Sequence, residues 1–167
     1  VLSGEAAARY GVFGHGYTYT GHPVMAAAAL ANLDIIEEED LVARAGETGH
    51  YLNETLRRAF EGFEIAAETR GTGLVAAVEF ARPGPDGWTR FEARETVAAR
   101  IVRAALADGV IARALPSSDA VSFSPPFIAT REEIDLAVST IRKAAEQVLG
   151  ELKSEGPLER PHPQKAD

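Results

Sequence analysis

Residues 64–80, EIAAETRGTGLVAAVEF, carry the pattern on which the fold turns. Glu64–Thr69 and Gly73–Phe80 are rich in strand-forming and small apolar residues, and Arg70-Gly71-Thr72 between them reads as a short turn or bulge. On the N-terminal side a helix is expected from about Asp40, with Leu41, Ala45, Leu52, Leu56 and Phe60 at helical spacing. Gly46 and Gly49 are poor helix residues inside it. On the C-terminal side Pro83-Gly84-Pro85-Asp86-Gly87 reads as a loop. A helix then carries Val97, Ile101, Ala105 and Leu106 on one face and stops at Gly109. Val110–Ala114 and Ala120–Ser124 read as two further short strands, the second ended by Pro125-Pro126. Thr130-Arg131-Glu132-Glu133 is a capping box. It opens a helix whose Ile134, Val138, Ile141, Ala145, Val148 and Leu152 form one apolar stripe. From about Ser154 onward, prolines and charges suggest a disordered tail. Two leading helices followed by ββ-α-ββ-α make an α+β fold, a mainly antiparallel sheet covered by helices.

Composition sets the limits within which any function must fall. A chain of 167 residues has room for one domain with a useful core. Its 46% hydrophobic and 25% charged residues are ordinary for a globular protein. A formal charge of −8 argues against nucleic acid or an anionic membrane as partner, because both call for basic patches. The chain has no cysteine, hence no disulfide and no thiolate metal site, which suits a reducing cytoplasm. The apolar run from Val24 to Leu33 is too short to span a bilayer and meets Asp34.

The chemistry-bearing stretch lies near the start, where Gly14-His15-Gly16-Tyr17-Thr18-Tyr19-Thr20-Gly21-His22-Pro23 runs into an alanine-rich segment. Gly14, Gly16 and Gly21 permit close backbone approach, and Pro23 suits a first helical position. Pro23 to about Glu38 reads as a mostly buried helix, with Ala26–Ala29 allowing close packing. A loop that offers N–H groups and hydroxyls just ahead of a helix is suited to an anion such as phosphate, though loops of this kind also serve as plain connections. His15 and His22 supply no third ligand at metal spacing, so no metal site is expected. His22 reads as a structural residue of the loop-to-helix junction.

Four ordered stretches, GHGYTYTGHPVMAAAALANLDIIEEEDL (14–41), ETRGTGLVAAVEF (68–80), ADGVIARAL (107–115) and VSFSPPFIATREEIDLAVSTIRKA (121–144), closely resemble class III aminotransferases. These are the omega-transaminase branch of the fold-type I pyridoxal-phosphate enzymes. The resemblance runs from about Gly11 to Leu152. It implies residues 1–38 as a remnant of the large cofactor-binding domain with its connecting helix, 39–153 as the C-terminal small domain, and 154–167 as the tail. It also implies a homodimer with shared active sites, pyridoxal 5′-phosphate as cofactor, and amino-group transfer between an amine or amino acid and a 2-oxo acid. The family's Schiff-base lysine precedes the loop at 14–23. The only lysines here, Lys143, Lys153 and Lys165, lie far downstream, so no catalytic residue is assigned and the chain reads as a truncated, by itself inactive, portion of an aminotransferase.

The site residues follow from the same resemblance. Thr18 matches the threonine whose hydroxyl and N–H hold the cofactor phosphate across the dimer interface. Tyr17 matches an aromatic position whose backbone N–H serves the same phosphate. Arg113 falls where omega-transaminases carry a mobile arginine that binds a substrate carboxylate and swings aside for apolar substrates. A guanidinium fork suits that task. Arg70 reads as a fold-stabilising charge at the strand turn. Lacking the parallel sheet of the large domain, the helix after Pro23 would expose Val24, Leu30, Leu33 and Ile36 and promote association. A non-catalytic α+β interaction module derived from the same family is the alternative reading. A decarboxylase or aminomutase of the same fold is a third.

Overall fold

The computed structural model describes residues 4–10, 16–116 and 118–158. The chain divides into two compact units after Glu39. The first holds helices α1 (Gly4–Tyr10) and α2 (Pro23–Glu38). Pro23 opens α2 at the expected residue, with His22 as N-cap in an extended conformation. Contrary to the expectation of a mostly buried helix, no α2 residue is buried. Val24, Met25, Leu30, Leu33 and Ile35 are exposed and Ile36 is half-covered. Its apolar residues run all round the helix, and the described part of the first unit contains no sheet to receive them.

The second unit is the α+β domain. It runs α3 (Leu41–Phe60), β1 (Ala66–Thr72), β2 (Val75–Phe80), β3 (Arg82–Gly84), β4 (Gly87–Thr89), α4 (Val97–Ala107), β5 (Arg113–Ala114), β6 (Ala120–Phe123) and α5 (Arg131–Glu155), with a 3-10 turn at Ala93–Glu95. The main sheet has the order β1-β2-β6-β5, and every neighbouring pair is antiparallel. Alternation along the strands points Ala76, Val78, Phe80, Val121 and Phe123 into the core. There they meet Leu52, Leu56 and Phe60 of α3, Val97, Ile101 and Ala105 of α4, and Ile134, Val138, Ile141, Ala145, Val148 and Leu152 of α5. Three helices thus cover one face. Glu68, Arg70, Ala77, Glu79, Ala120 and Ser122 lie on the other.

Several local expectations are corrected. Arg70-Gly71-Thr72 belongs to β1 and is paired with Val75–Ala77, so the turn is Gly73-Leu74. Gly73 has φ +51°, which glycine tolerates best. The segment 83–87 forms a hairpin with its turn at Pro85-Asp86, pairing Pro83 with Trp88 and Gly84 with Gly87. Leu106 is exposed, because the buried stripe of α4 is Val97, Ala98, Ile101 and Ala105. The strand expected at 110–114 shrinks to Arg113–Ala114. Gly49, unfavourable for a helix on propensity, is buried at a close crossing: a Cβ there would lie 2.3 Å from the Gly73 carbonyl carbon. Asn53 clamps this crossing by donating from Nδ2 to the Gly49 and Gly73 carbonyls at 2.7 and 3.0 Å.

The capping box of α5 forms as read, with Thr130 Oγ1 accepting from the Glu133 N–H and the Glu133 carboxylate accepting from the Thr130 N–H. The helix runs on to Glu155 and Leu158 is buried. The ordered chain therefore extends past Ser154, because a buried guanidinium fastens it. Arg82 donates to the Leu158 carbonyl at 2.9 Å, pairs with the Glu95 carboxylate and lies over the Phe91 ring.

Candidate functional site

The loop ahead of α2 and the edge of the main sheet carry the two groups of candidate residues, one in each unit. Gly14 and His15 lie outside the described residues. Thr18, Tyr19 and Thr20 form a turn closed by Thr20 N–H to Tyr17 carbonyl (3.0 Å) and His22 N–H to Tyr19 carbonyl (3.1 Å). Gly21 has φ +77°, which lets the chain leave this turn and enter the helix. The Tyr17 N–H donates within the loop to Thr20 Oγ1 at 3.0 Å. Thr18 is exposed. His22 places no side-chain cap on α2, so no side chain of the N-cap satisfies the first-turn amides, which is the arrangement that favours an anion. An exposed threonine in the loop ahead of a helix start that lacks a side-chain cap offers the donor chemistry a phosphate needs. Among the described residues no cluster of His, Asp and Glu could hold a metal ion.

Arg113 opens β5, at the sheet edge, and is exposed. Register places Ser122 directly opposite it, Ala77 opposite Ser122, and Arg70 opposite Ala77. Directly paired residues point to the same side of a sheet. The row Arg113–Ser122–Ala77–Arg70 therefore crosses the helix-free face, with two small residues between two arginines. The arginines differ in their surroundings. Arg70 Nη1 is held between Glu68 (2.7 Å) and Glu79 (2.6 Å), and its acidity is weakened chiefly by the hydrogen bond to Glu79. It is neutralised where it stands, as a structural charge would be. Arg113 instead lines a cleft of about 500 Å3 together with Ser122, Ser124, Pro125, Glu133 and Ile134, within the usual range for a ligand pocket. The Glu133 carboxylate in this cleft is engaged by the cap of α5.

Ser122 escaped the sequence reading. Its signal was the alternation in Ala120–Ser124, where Ser122 sits between core residues Val121 and Phe123 and so must face away from them.

Comparison with known proteins gives these positions a family. The model of the class-III aminotransferases matches residues 3–145. A diaminobutyrate–2-oxoglutarate transaminase of Halomonas elongata is 41% identical over 155 residues, covering 93% of this chain and 33% of that protein. A solved transaminase from directed evolution by ancestral reconstruction superposes with a TM-score of 0.79 at 43% identity, over 89% of this chain and 32% of the other. A thermostable (S)-enantioselective omega-transaminase from Thermomicrobium roseum does so with a TM-score of 0.74 at 34% identity, over 87% and 32%. The chain spans about a third of the length of these proteins. With the family match, the shared fold of helices and antiparallel sheet and the identity over nearly its whole length, the chain belongs to the class-III aminotransferases.

Proposed function

We propose that this chain is the part of a pyridoxal-phosphate-dependent aminotransferase that receives the cofactor phosphate of a neighbouring subunit and recognises substrate carboxylates. The observation that carries the reading is the exposed Arg113 at the rim of a largely apolar cleft, with small residues beside it. The cofactor, when bound, supplies the electron sink for carbanion chemistry. Thr18 would hold its phosphate through hydroxyl and backbone N–H, with the start of α2 adding favourable dipoles. The Tyr17 N–H can join only by giving up its bond to Thr20 Oγ1, so Thr18 is the stronger ligand of the two. Arg113 would take a substrate carboxylate in its fork and orient the amino or oxo carbon. A homodimer with shared active sites is the assembly that the family match supports. The cysteine-free, acidic composition fits a cytoplasmic setting.

Substrates would be amines or amino acids as donors and 2-oxo acids as acceptors. The test is amino transfer to pyruvate by a polypeptide of the relatives' length that carries this chain, beside the same assay on the chain alone. Turnover is expected in the first and none in the second. If borohydride trapped the cofactor on one lysine of the chain alone, with turnover, the reading would fail.

A further inference from the structure

Resting on the reading of Arg113 just given, we infer that Ser122 is a specificity-determining residue: its small side chain leaves the Arg113 stem room to take two settings. Arg113 and Ser122 are direct cross-strand partners and line the same cleft. Directly opposed Cβ atoms lie about 4.5–5.5 Å apart, so the residue at 122 is what the methylene stem of Arg113 sweeps past. The next position in the row is Ala77, buried and equally small. Beyond it Arg70 is fixed by two glutamates and does not reach back across the row. Along β6 itself, Ala120 precedes Ser122 on the same face. The floor beside Arg113 is therefore built of alanine and serine, while the opposite face of the same strand carries the larger Val121 and Phe123. A residue whose charge must sometimes meet a carboxylate and sometimes yield to an apolar group needs such a floor. A branched side chain at 122 would take up the volume through which the stem moves.

The experiment uses the full aminotransferase polypeptide that carries these residues. Ser122→Val and Ser122→Thr each add a methyl branch, and Ser122→Ala removes the hydroxyl while keeping the size. The readout is the ratio of kcat/KM for a 2-oxo acid to that for an amine without a carboxylate, with KM and kcat separated. The valine and threonine variants are expected to shift that ratio about tenfold through KM, with Tm kept, and the alanine variant to shift it less than about twofold. Two variants guard against a failure to fold, since threonine is well suited to a strand. An unchanged ratio in a folded valine or threonine variant overturns the inference. An equal shift in the alanine variant also overturns it, because the hydroxyl and not the size would then matter. If Arg113→Ala itself leaves the ratio unchanged, the reading of Arg113 fails. If Arg113→Ala is selective and the branched variants are not, only the role of Ser122 fails.

Discussion

Replacing Arg82 by methionine removes the charge that ties three distant segments together. The guanidinium is 8% exposed and its partner Glu95 is 9% exposed. Arg82 also donates to the Leu158 carbonyl and stacks on Phe91. Removing one partner of a buried ion pair costs about 3–5 kcal/mol. The cation–π contact adds about 1 kcal/mol. Against a typical total stability of about 5–15 kcal/mol, Arg82→Met is expected to remove about 4 kcal/mol. Glu95 also accepts the Glu92 N–H, which a glutamine can still do. The double variant Arg82→Met/Glu95→Gln should therefore recover about 2 kcal/mol of the loss. Urea unfolding followed by circular dichroism and by the single tryptophan, Trp88 of the same hairpin, measures both. An Arg82→Met variant within about 1 kcal/mol of the parent, or a double variant no better than the single one, would refute the reasoning.

Substitutions at four other positions test the packing, the charges and the candidate site. Gly49→Ala forces a Cβ against the Gly73 backbone and should lower stability by about 1–3 kcal/mol or more, read as a fall in Tm. Gly46→Ala, with open space at its Cβ, should raise stability by about 0.5–1 kcal/mol instead. The hydrogen bond from Arg100 holds the Glu151 carboxyl below its ordinary pKa, helped by Gln147. A depressed folded-state pKa gives stability that is present above the unfolded value and lost as pH falls through the folded one. Acid titration of the urea midpoint should therefore show a loss below about pH 4 that Glu151→Gln flattens, and identical acid limbs in the two proteins would contradict it. If Thr18 holds the cofactor phosphate as proposed, Thr18→Ala in an aminotransferase polypeptide of the relatives' length removes a hydrogen bond to a charged group, worth about 1.5–3 kcal/mol. Cofactor retention in equilibrium dialysis should weaken about tenfold to a hundredfold for every substrate alike, and unchanged retention would remove Thr18 from the site.

What the sequence made legible depended on how local the signal was. The Thr130 capping box and the α5 stripe are written in neighbouring residues, and both formed as read. Pro23 likewise fixed the start of α2. The turn of the first hairpin was misplaced because Gly71 and Gly73 are equally good local breakers. Only pairing with β2 decides between them, and the close approach of Asn53 to Gly71 is a long-range fact. The hairpin at Arg82–Thr89 was hidden by its prolines and glycines, which an isolated two-stranded ribbon tolerates. Burial of Arg82 and Leu158 could not be read, since their partners are Glu95, Phe91 and each other across long separations. At the candidate site, Arg113 was legible through resemblance alone. Its opposition to Ser122 depends on register, which a single short strand does not specify.

Arg113 is proposed to recognise substrate carboxylates. The most direct measurement is steady-state kinetics of Arg113→Ala in the complete aminotransferase, with pyruvate and 2-oxoglutarate as acceptors and an amine without a carboxylate as donor. A raised KM is expected for both 2-oxo acids, with an unchanged KM for the amine and unaltered cofactor binding, because only the carboxylate partner is lost. Equal KM values for the 2-oxo acids in variant and parent would contradict it.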